Sequence, residues 1–252
     1  MKRDLGVVSI SIMIIQVLLI FPVLVIAITC YNTFFLRLYS VNIVEPFIAI
    51  GNTPYMGLIV LYGLLFYTIC RKQRKLSVSI NKELSYVFLN AFVLILFVFS
   101  ISALTVMPIA VLENKWSYQC VKNTSLIPVY LYTQRSLLEV FLLTFSLSLA
   151  EMVLFLLIWL CFALSGKEVL GVIAYLIIFA VNEYAIIKDY SWKWYLPLTN
   201  ATVAEHYKTI YDGNRFPLWY SYVYYLFLVI IFVILIQNIK DKHGEQYETD
   251  EN

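Results

Sequence analysis

The chain has 252 residues, 62% of them hydrophobic and 17% aromatic, with 13% charged and a formal net charge of +2. Soluble domains carry about 25% charged residues, so this composition excludes a soluble globular protein and points to several membrane spans of roughly 20 residues each. Basic residues fall between apolar runs instead of along one face, which excludes a nucleic-acid-binding surface, and Cys30, Cys70, Cys120 and Cys161 have neither metal-site spacing nor the number for a disulfide scaffold.

Six apolar runs follow one another. The first, Leu5–Cys30, comes after Met1-Lys2-Arg3-Asp4 and is 26 residues long. A signal peptide has an apolar core of about 7–15 residues, and Ala27-Ile28-Thr29 is a poor cleavage site, so the run reads as a retained first span. The second is Tyr55–Cys70, or Phe47–Cys70 with Gly51-Asn52-Thr53-Pro54 as a break inside it. The third, Leu84–Leu112, and the fourth, Leu137–Leu164, are longer than a straight span needs and imply tilt. Val169–Ile187 and Pro217–Ile239 complete the set. Arg71, Lys72, Arg74, Lys75 and Lys82 crowd into the loop between the second and third runs. Counting that loop and Met1 as cytoplasmic puts ten of the eighteen Lys and Arg residues in the shorter, inner segments. This satisfies the positive-inside rule. The expectation is an all-α integral membrane fold of six transmembrane helices, with both termini cytoplasmic. Residues 1–239 form one domain, and the polar residues 240–252 a disordered tail.

Local signals refine the boundaries. Asn81 reads as the cap of the third span, with Glu83 in its first turn. Ser165-Gly166-Lys167-Glu168 has the form of a capping box and implies a tight hairpin between spans four and five. Trp116, Trp192, Trp194 and Tyr195 stand where an interfacial aromatic belt belongs. Before the last span, Thr199-Asn200 suggests a cap. Val203, Tyr207, Ile210 and Tyr211 would then share one face of a short interfacial helix ending at Gly213, the alternative being a surface loop with chance periodicity. Cys30 and Cys120 both fall on the outer side, where pairing is open, and Cys70 and Cys161 fall on the inner side.

Two acidic residues lie deep in apolar runs, Glu151 in the fourth and Glu183 in the fifth. A charge at mid-membrane costs about 2.5–3.5 kcal/mol on insertion scales, so such groups turn inward. Glu151, with Ser148 and Thr144 on the same helical face, either contacts a cationic substrate or proton, or locks helix packing through a hydrogen bond. No P-loop exists, because Gly166-Lys167 is followed by Glu168. H-E-x-x-H and G-x-S-x-G are absent too. His206 in Glu205-His206-Tyr207 reads as a polar interfacial residue. No catalytic or metal site and no cofactor are expected in this chain.

The six spans, the basic loop after the second, the tight fourth-to-fifth hairpin and the external segment before the last resemble type-2 ABC exporter permeases. The likeness is carried by Glu45–Asn52, Glu113–Ser117 and Leu196–Ala201 with His206 following, and is nearest to a bacterial branch associated with bacteriocin or peptide export and immunity. It implies a plasma-membrane subunit that pairs with a second permease, identical or different, on separate ATP-binding cassette subunits. Arg71, Lys72, Arg74, Lys75, Lys82 and Glu83 would form the loop that couples to the ATPase, or else contact membrane lipid. Asn200, Glu205, His206 and Tyr207 would belong to an external gate. Such permeases carry an amphipathic helix before the first span, whereas four residues precede Leu5 here. Either that contact is absent or the chain is an accessory subunit. The reading from another class is a non-transporting immunity or sensor protein that binds a peptide at the outer surface.

Overall fold

The structure, a computed structural model, describes residues 53–72, 80–112, 137–208 and 217–249. The first apolar run, Arg74, Lys75, Glu113–Ser117, Cys30 and Cys120 lie outside the described residues. What is described is helical throughout, apart from short turns: α1 (Thr53–Lys72), α2 (Ile80–Leu112), α3 (Leu137–Leu164), α4 (Glu168–Ile187), a 3-10 turn (Ser191–Tyr195), α5 (Pro197–Ala201), α6 (Val203–Lys208) and α7 (Leu218–Thr249). Four helices are long and apolar enough to cross a membrane, within Lys82–Leu104, Phe141–Leu164, Glu168–Ile187 and Leu218–Lys240.

α3 is the axis of the bundle. It packs against α7, α2, α4, α1 and α5, and every residue from Glu151 to Leu160 is buried. A helix apolar on all sides must be surrounded, and this one is. Lipid tails are as apolar as leucine, so helices in a membrane gain little from hydrophobic burial and associate through close contact and hydrogen bonds. Aromatic edges supply much of that contact. Phe99 of α2 meets Phe141 and Phe145 edge-on at 5.4 and 5.3 Å, Tyr67 of α1 meets Trp159 at 5.1 Å, and Phe155 meets Tyr175 of α4 at 4.8 Å. Such pairs contribute roughly 0.5–1.5 kcal/mol each beyond the area they bury. Glycine supplies the rest. A Cβ on Gly57 would stand 2.1 Å from the Phe179 ring, so α1 and α4 touch there only because that atom is missing. The approach also lets Tyr175 Oη donate to the Gly57 carbonyl at 2.6 Å.

The outward faces are apolar as well: Phe88, Leu89, Phe92 and Val93 on α2, Ile173 and Ile177 on α4, and Leu226, Phe227 and Ile230 on α7 are all exposed. Contiguous apolar surface on this scale suits acyl chains, not water.

Three local expectations are corrected. Ser165–Glu168 does not form a capping box: Lys167 stands at the N-cap of α4 without a side-chain bond, and Ser165 Oγ donates back to the Cys161 carbonyl. The tight turn comes instead from the end of α3. Gly166 has φ of 70°, its N–H bonds Ala163 O, and the Lys167 N–H bonds Phe162 O, the paired pattern that closes a helix on a left-handed glycine. Asn81 lies inside α2, which begins at Ile80, although Glu83 does fall in the first turn. Of the break expected at Gly51–Pro54, Gly51 and Asn52 lie outside the described residues, and Thr53 and Pro54 stand in the first described turn of α1, where the missing N–H of proline is harmless. The backbone of the supposed tail continues helically from Lys240 to Thr249, an extension of α7 by elongation, which is cheap once a long helix exists.

Gly166→Ala is expected to lower the thermal midpoint of the detergent-purified protein modestly, by about 1–2 kcal/mol for an alanine held at positive φ. Gly57→Val, which must displace the Phe179 ring, is expected to cost about 1–3 kcal/mol. An unchanged midpoint for Gly57→Val would contradict the α1–α4 contact.

Candidate functional site

Between α4 and α7 the chain leaves the pattern of parallel rods. Asp189 turns with φ of 53°, the 3-10 turn follows, Leu196 is extended, and Pro197 opens α5. All five residues of α5 are buried. Of the single interfacial helix expected from Thr199 to Gly213, residues 209–213 lie outside the described residues, and the described part is not one continuous helix. Thr199 and Asn200 lie inside α5, the helix breaks at Thr202, and α6 carries Glu205, His206 and Tyr207. α5 packs on α3, α4, α7 and α1, and the Thr199 N–H donates to Asn182 Oδ1, more than a turn inside the end of α4. The segment is a re-entrant plug in one end of the bundle.

Irregular backbone at membrane depth is tolerated only where protein satisfies its polar groups, and here side chains do so one carbonyl at a time. Asn200 Nδ2 donates to Trp194 O at 2.8 Å and to Leu196 O at 2.9 Å. Tyr224 Oη donates to Tyr195 O, Tyr225 Oη to Pro197 O at 2.6 Å, and Thr202 Oγ1 to Leu198 O. Two of these donors come from α7, so the last helix holds the plug from the side.

Proton positions inside the plug follow by elimination. Both carbonyl bonds use Asn200 Nδ2, so Oδ1 faces Ser221 and takes the Ser221 hydroxyl proton at 2.9 Å. His206 Nε2 lies 2.9 Å from Ser221 Oγ and 3.3 Å from Asn200 O, both of which must accept, so Nε2 carries hydrogen. Serine and histidine are adjacent, yet the histidine donates to the serine and the serine proton goes to an amide. The pair is thus arranged to tie α6 and α7 to α5, and it does not generate a nucleophile. The His206 ring lies on Trp194, with centroids 4.9 Å apart.

A buried ion pair closes the outer edge. Lys193 Nζ donates to Glu205 at 2.8 Å and to Asp189; the Lys193 and Glu205 side chains are 4% and 5% exposed, whereas Asp189 is open to solvent. Burial pulls the Lys193 ammonium downward, but hydrogen bonds and charge from Asp189 and Glu205 outweigh it, leaving the group above its ordinary value of 10.5.

Behind the plug lies Glu151, 1% exposed, about 15 Å from Phe141 and about 20 Å from Leu164 along α3 at roughly 1.5 Å per residue. Glu151 and Val181 are equidistant in sequence from Gly166, so the antiparallel hairpin sets Glu151 level with the Asn182–Glu183 step and with α5. Glu183, Tyr175 and Tyr225 lie within electrostatic range of it. Among the described residues, Glu151 Oε1, Ser148 Oγ, Asn182 Nδ2 and Thr199 Oγ1 are buried without a hydrogen-bond partner.

The opposite end holds the described flanks of the basic loop. Arg71 and Lys72 end α1, and Lys82 is exposed at the start of α2. Tyr67 Oη donates to Glu83 at 3.0 Å, stapling the helices that flank the loop, and its ring rests on Trp159 of α3. The structure thus brings Asn200, Glu205 and His206 together, sets Glu151 and Glu183 behind them, and keeps Lys82 and Glu83 at the far end. Sequence reading missed Lys193, Asn182, Ser221, Tyr224 and Tyr225, and took Thr199 for a cap. Asn182 and Ser221 carried the one usable signal, a polar side chain inside an apolar run. Among the described residues no three of His, Cys, Asp and Glu converge as a metal set. Comparison with family models, with curated proteins and with solved structures found no match.

Glu205→Ala leaves the Lys193 ammonium buried on Asp189 alone, and losing one partner of a buried pair costs about 3–5 kcal/mol. With all native cysteines changed to serine, a cysteine placed at Ala201 is expected to react slowly with an aqueous maleimide, and much faster once Glu205→Ala is added. Equal rates would show that the ion pair does not hold the plug. A group raised in the folded state stabilises fully below its unfolded value, so the thermal midpoint should not fall through Lys193 up to pH of about 10.5, and should decline as pH rises through the raised value.

Proposed function

We propose that the chain is the membrane-spanning permease subunit of an ATP-driven ABC exporter of the bacterial plasma membrane. It works as a homo- or heterodimer on separate ATP-binding cassette subunits and moves a hydrophobic or cationic peptide, or a lipid-like compound, outward. The observation that carries this reading is the re-entrant plug. It occupies the segment before the last helix, where the resemblance to type-2 permeases puts the external gate, and it closes over a buried carboxylate.

The two ends of the bundle suit different tasks. At the basic end, Arg71, Lys72, Arg74 and Lys75 offer charge-assisted hydrogen bonds to acidic residues of a motor subunit. The Tyr67–Glu83 bond makes α1 and α2 move together, and the Tyr67–Trp159 contact passes that movement to α3. At the other end, neutral hydrogen bonds hold α5, each worth about 1 kcal/mol net, with one ion pair beside them. Such a plug is closed at rest and displaceable, because several of its anchors sit on α4 and α7 rather than on its own backbone. Six spans with both termini cytoplasmic place the basic loop inside and the plug outside.

Affinity purification of the full chain from its native membrane should bring a P-loop ATPase with it. Arg71, Arg74 and Lys75 changed together to Gln should reduce that association about tenfold or more, at roughly 1.5–3 kcal/mol per charge-assisted bond lost, with insertion unaltered. If no ATPase is retained under conditions that keep known permeases paired with theirs, the exporter reading fails.

A further inference from the structure

The plug leaves a specific set of polar atoms unmatched behind it, and their chemistry is directional. The Thr199 N–H can only donate, so the Asn182 atom facing it at 3.2 Å is Oδ1. That assignment makes the free Asn182 atom Nδ2, a buried donor in want of an acceptor. Glu151 Oε1 is the reverse, an acceptor in want of a donor, and Ser148 Oγ stands one turn away on the same face of α3. Thr199 Oγ1 is a third group able to accept. All four residues are at most 1% exposed. Buried polar groups left in this state cost about 1–3 kcal/mol each, more where charged. Four at one level of one bundle indicate a place made for something that brings hydrogen bonds with it.

These groups sit around one spot. Asn182 holds Thr199 directly. Tyr225, whose hydroxyl holds Pro197 O two residues before Thr199, lies within electrostatic range of Glu151. Glu183, beside Asn182, also acts on Glu151. α5 packs on α3 directly. Glu151 and Glu183 supply the acidic groups of this spot, and with Ser148 and Thr199 they offer more acceptor oxygens than N–H donors. Lys193, a buried cation of the plug, is already engaged by Asp189 and Glu205 on its outer edge.

We propose that Glu151, Ser148, Asn182 and Thr199 form an occluded site for an ammonium group with a neighbouring carbonyl oxygen, as at the amino terminus of a peptide. The ammonium has three N–H donors for the carboxylate and the two hydroxyls, and the adjacent carbonyl accepts from Asn182 Nδ2. The neighbours of these groups along the chain, Leu147, Leu154 and Phe155 on α3 and Leu198 beside Thr199, are buried and apolar, so the residue bearing the ammonium is hydrophobic. As the cargo site of the exporter this inference rests on the function proposed above, but the binding itself needs no ATPase.

The test uses the full chain in detergent with two probes, phenylalanyl-leucine amide and its N-acetyl form, which differ in one positive charge. The free amine should raise the thermal midpoint and bind measurably by calorimetry, and the acetylated peptide should bind roughly 30-fold more weakly or not at all, the scale of a buried charge left without its partner. Glu151→Gln, which keeps shape and removes charge, should abolish the difference between the two peptides. Equal affinities in the unmodified chain overturn the proposal without recourse to any variant, as they would if water alone met these groups. Retained preference for the free amine in Glu151→Gln overturns it as well. Peptide binding without ATPase co-purification would sink the exporter reading alone, and an ATPase partner without amine preference would sink the site alone.

Discussion

Much of the backbone of Trp194–Thr202 is buried where water cannot satisfy it, and most of this structure can be understood as the means of satisfying it. An uninterrupted span solves that problem internally, each N–H meeting a carbonyl four residues back. A five-residue helix flanked by an extended residue and a break cannot. Asn200, Thr202, Tyr224 and Tyr225 supply the missing donors, Asn182 the missing acceptor. This explains why polar side chains of α4 and α7 turn inward while their apolar neighbours face lipid. It also explains why the plug is a separable piece, since nothing in its own ladder binds it to α4 or α7.

α3 makes room for that arrangement. Aromatic edges bring α2 against Phe141 and Phe145 and bring α4 and α1 against Phe155 and Trp159. α7 approaches through the Ser146 Oγ–Tyr222 Oη bond at 2.6 Å, and α5 packs on α3 as well. The Gly166 turn fixes the α3–α4 register and thereby brings Glu151 level with Asn182 and Thr199. A single left-handed residue at one end of the hairpin determines which polar groups meet near the other.

Much of the architecture was legible in composition and run length. Apolar runs over 84–112, 137–164, 169–187 and 217–239 became α2, α3, α4 and α7 with boundaries shifted by a few residues, apart from the extension of α7, because a stretch that must bury or face lipid over its whole length can do little but form a helix. The cap assignments fared worse. Asn81 and Ser165 have the right residue type, but helix starts depend on hydrogen bonds that compete locally, and a left-handed glycine one residue on decided the case at Ser165. Periodicity over Val203–Tyr211 suggested a helix lying at the surface. The buried contacts of Pro197–Ala201 with four other helices drew its beginning, Val203–His206, inward instead, a tertiary effect with no counterpart in local pattern.

The candidate site divides along the same line. That Glu151 had to face the interior, and that the stretch Leu196–His206 was unlike an ordinary span, followed from the sequence alone, because a carboxylate in an apolar run has a free-energy cost that only burial with partners offsets. Which groups stand around Glu151, that Lys193 pairs with Glu205 across a helix break, that Ser221 donates to Asn200, and that Asn182 keeps an unmatched N–H were decided only by tertiary structure. Each of these contacts joins different elements, and hydrogen bonds are directional over about 3 Å, a precision that hydropathy, which records only where the chain prefers to be, does not contain.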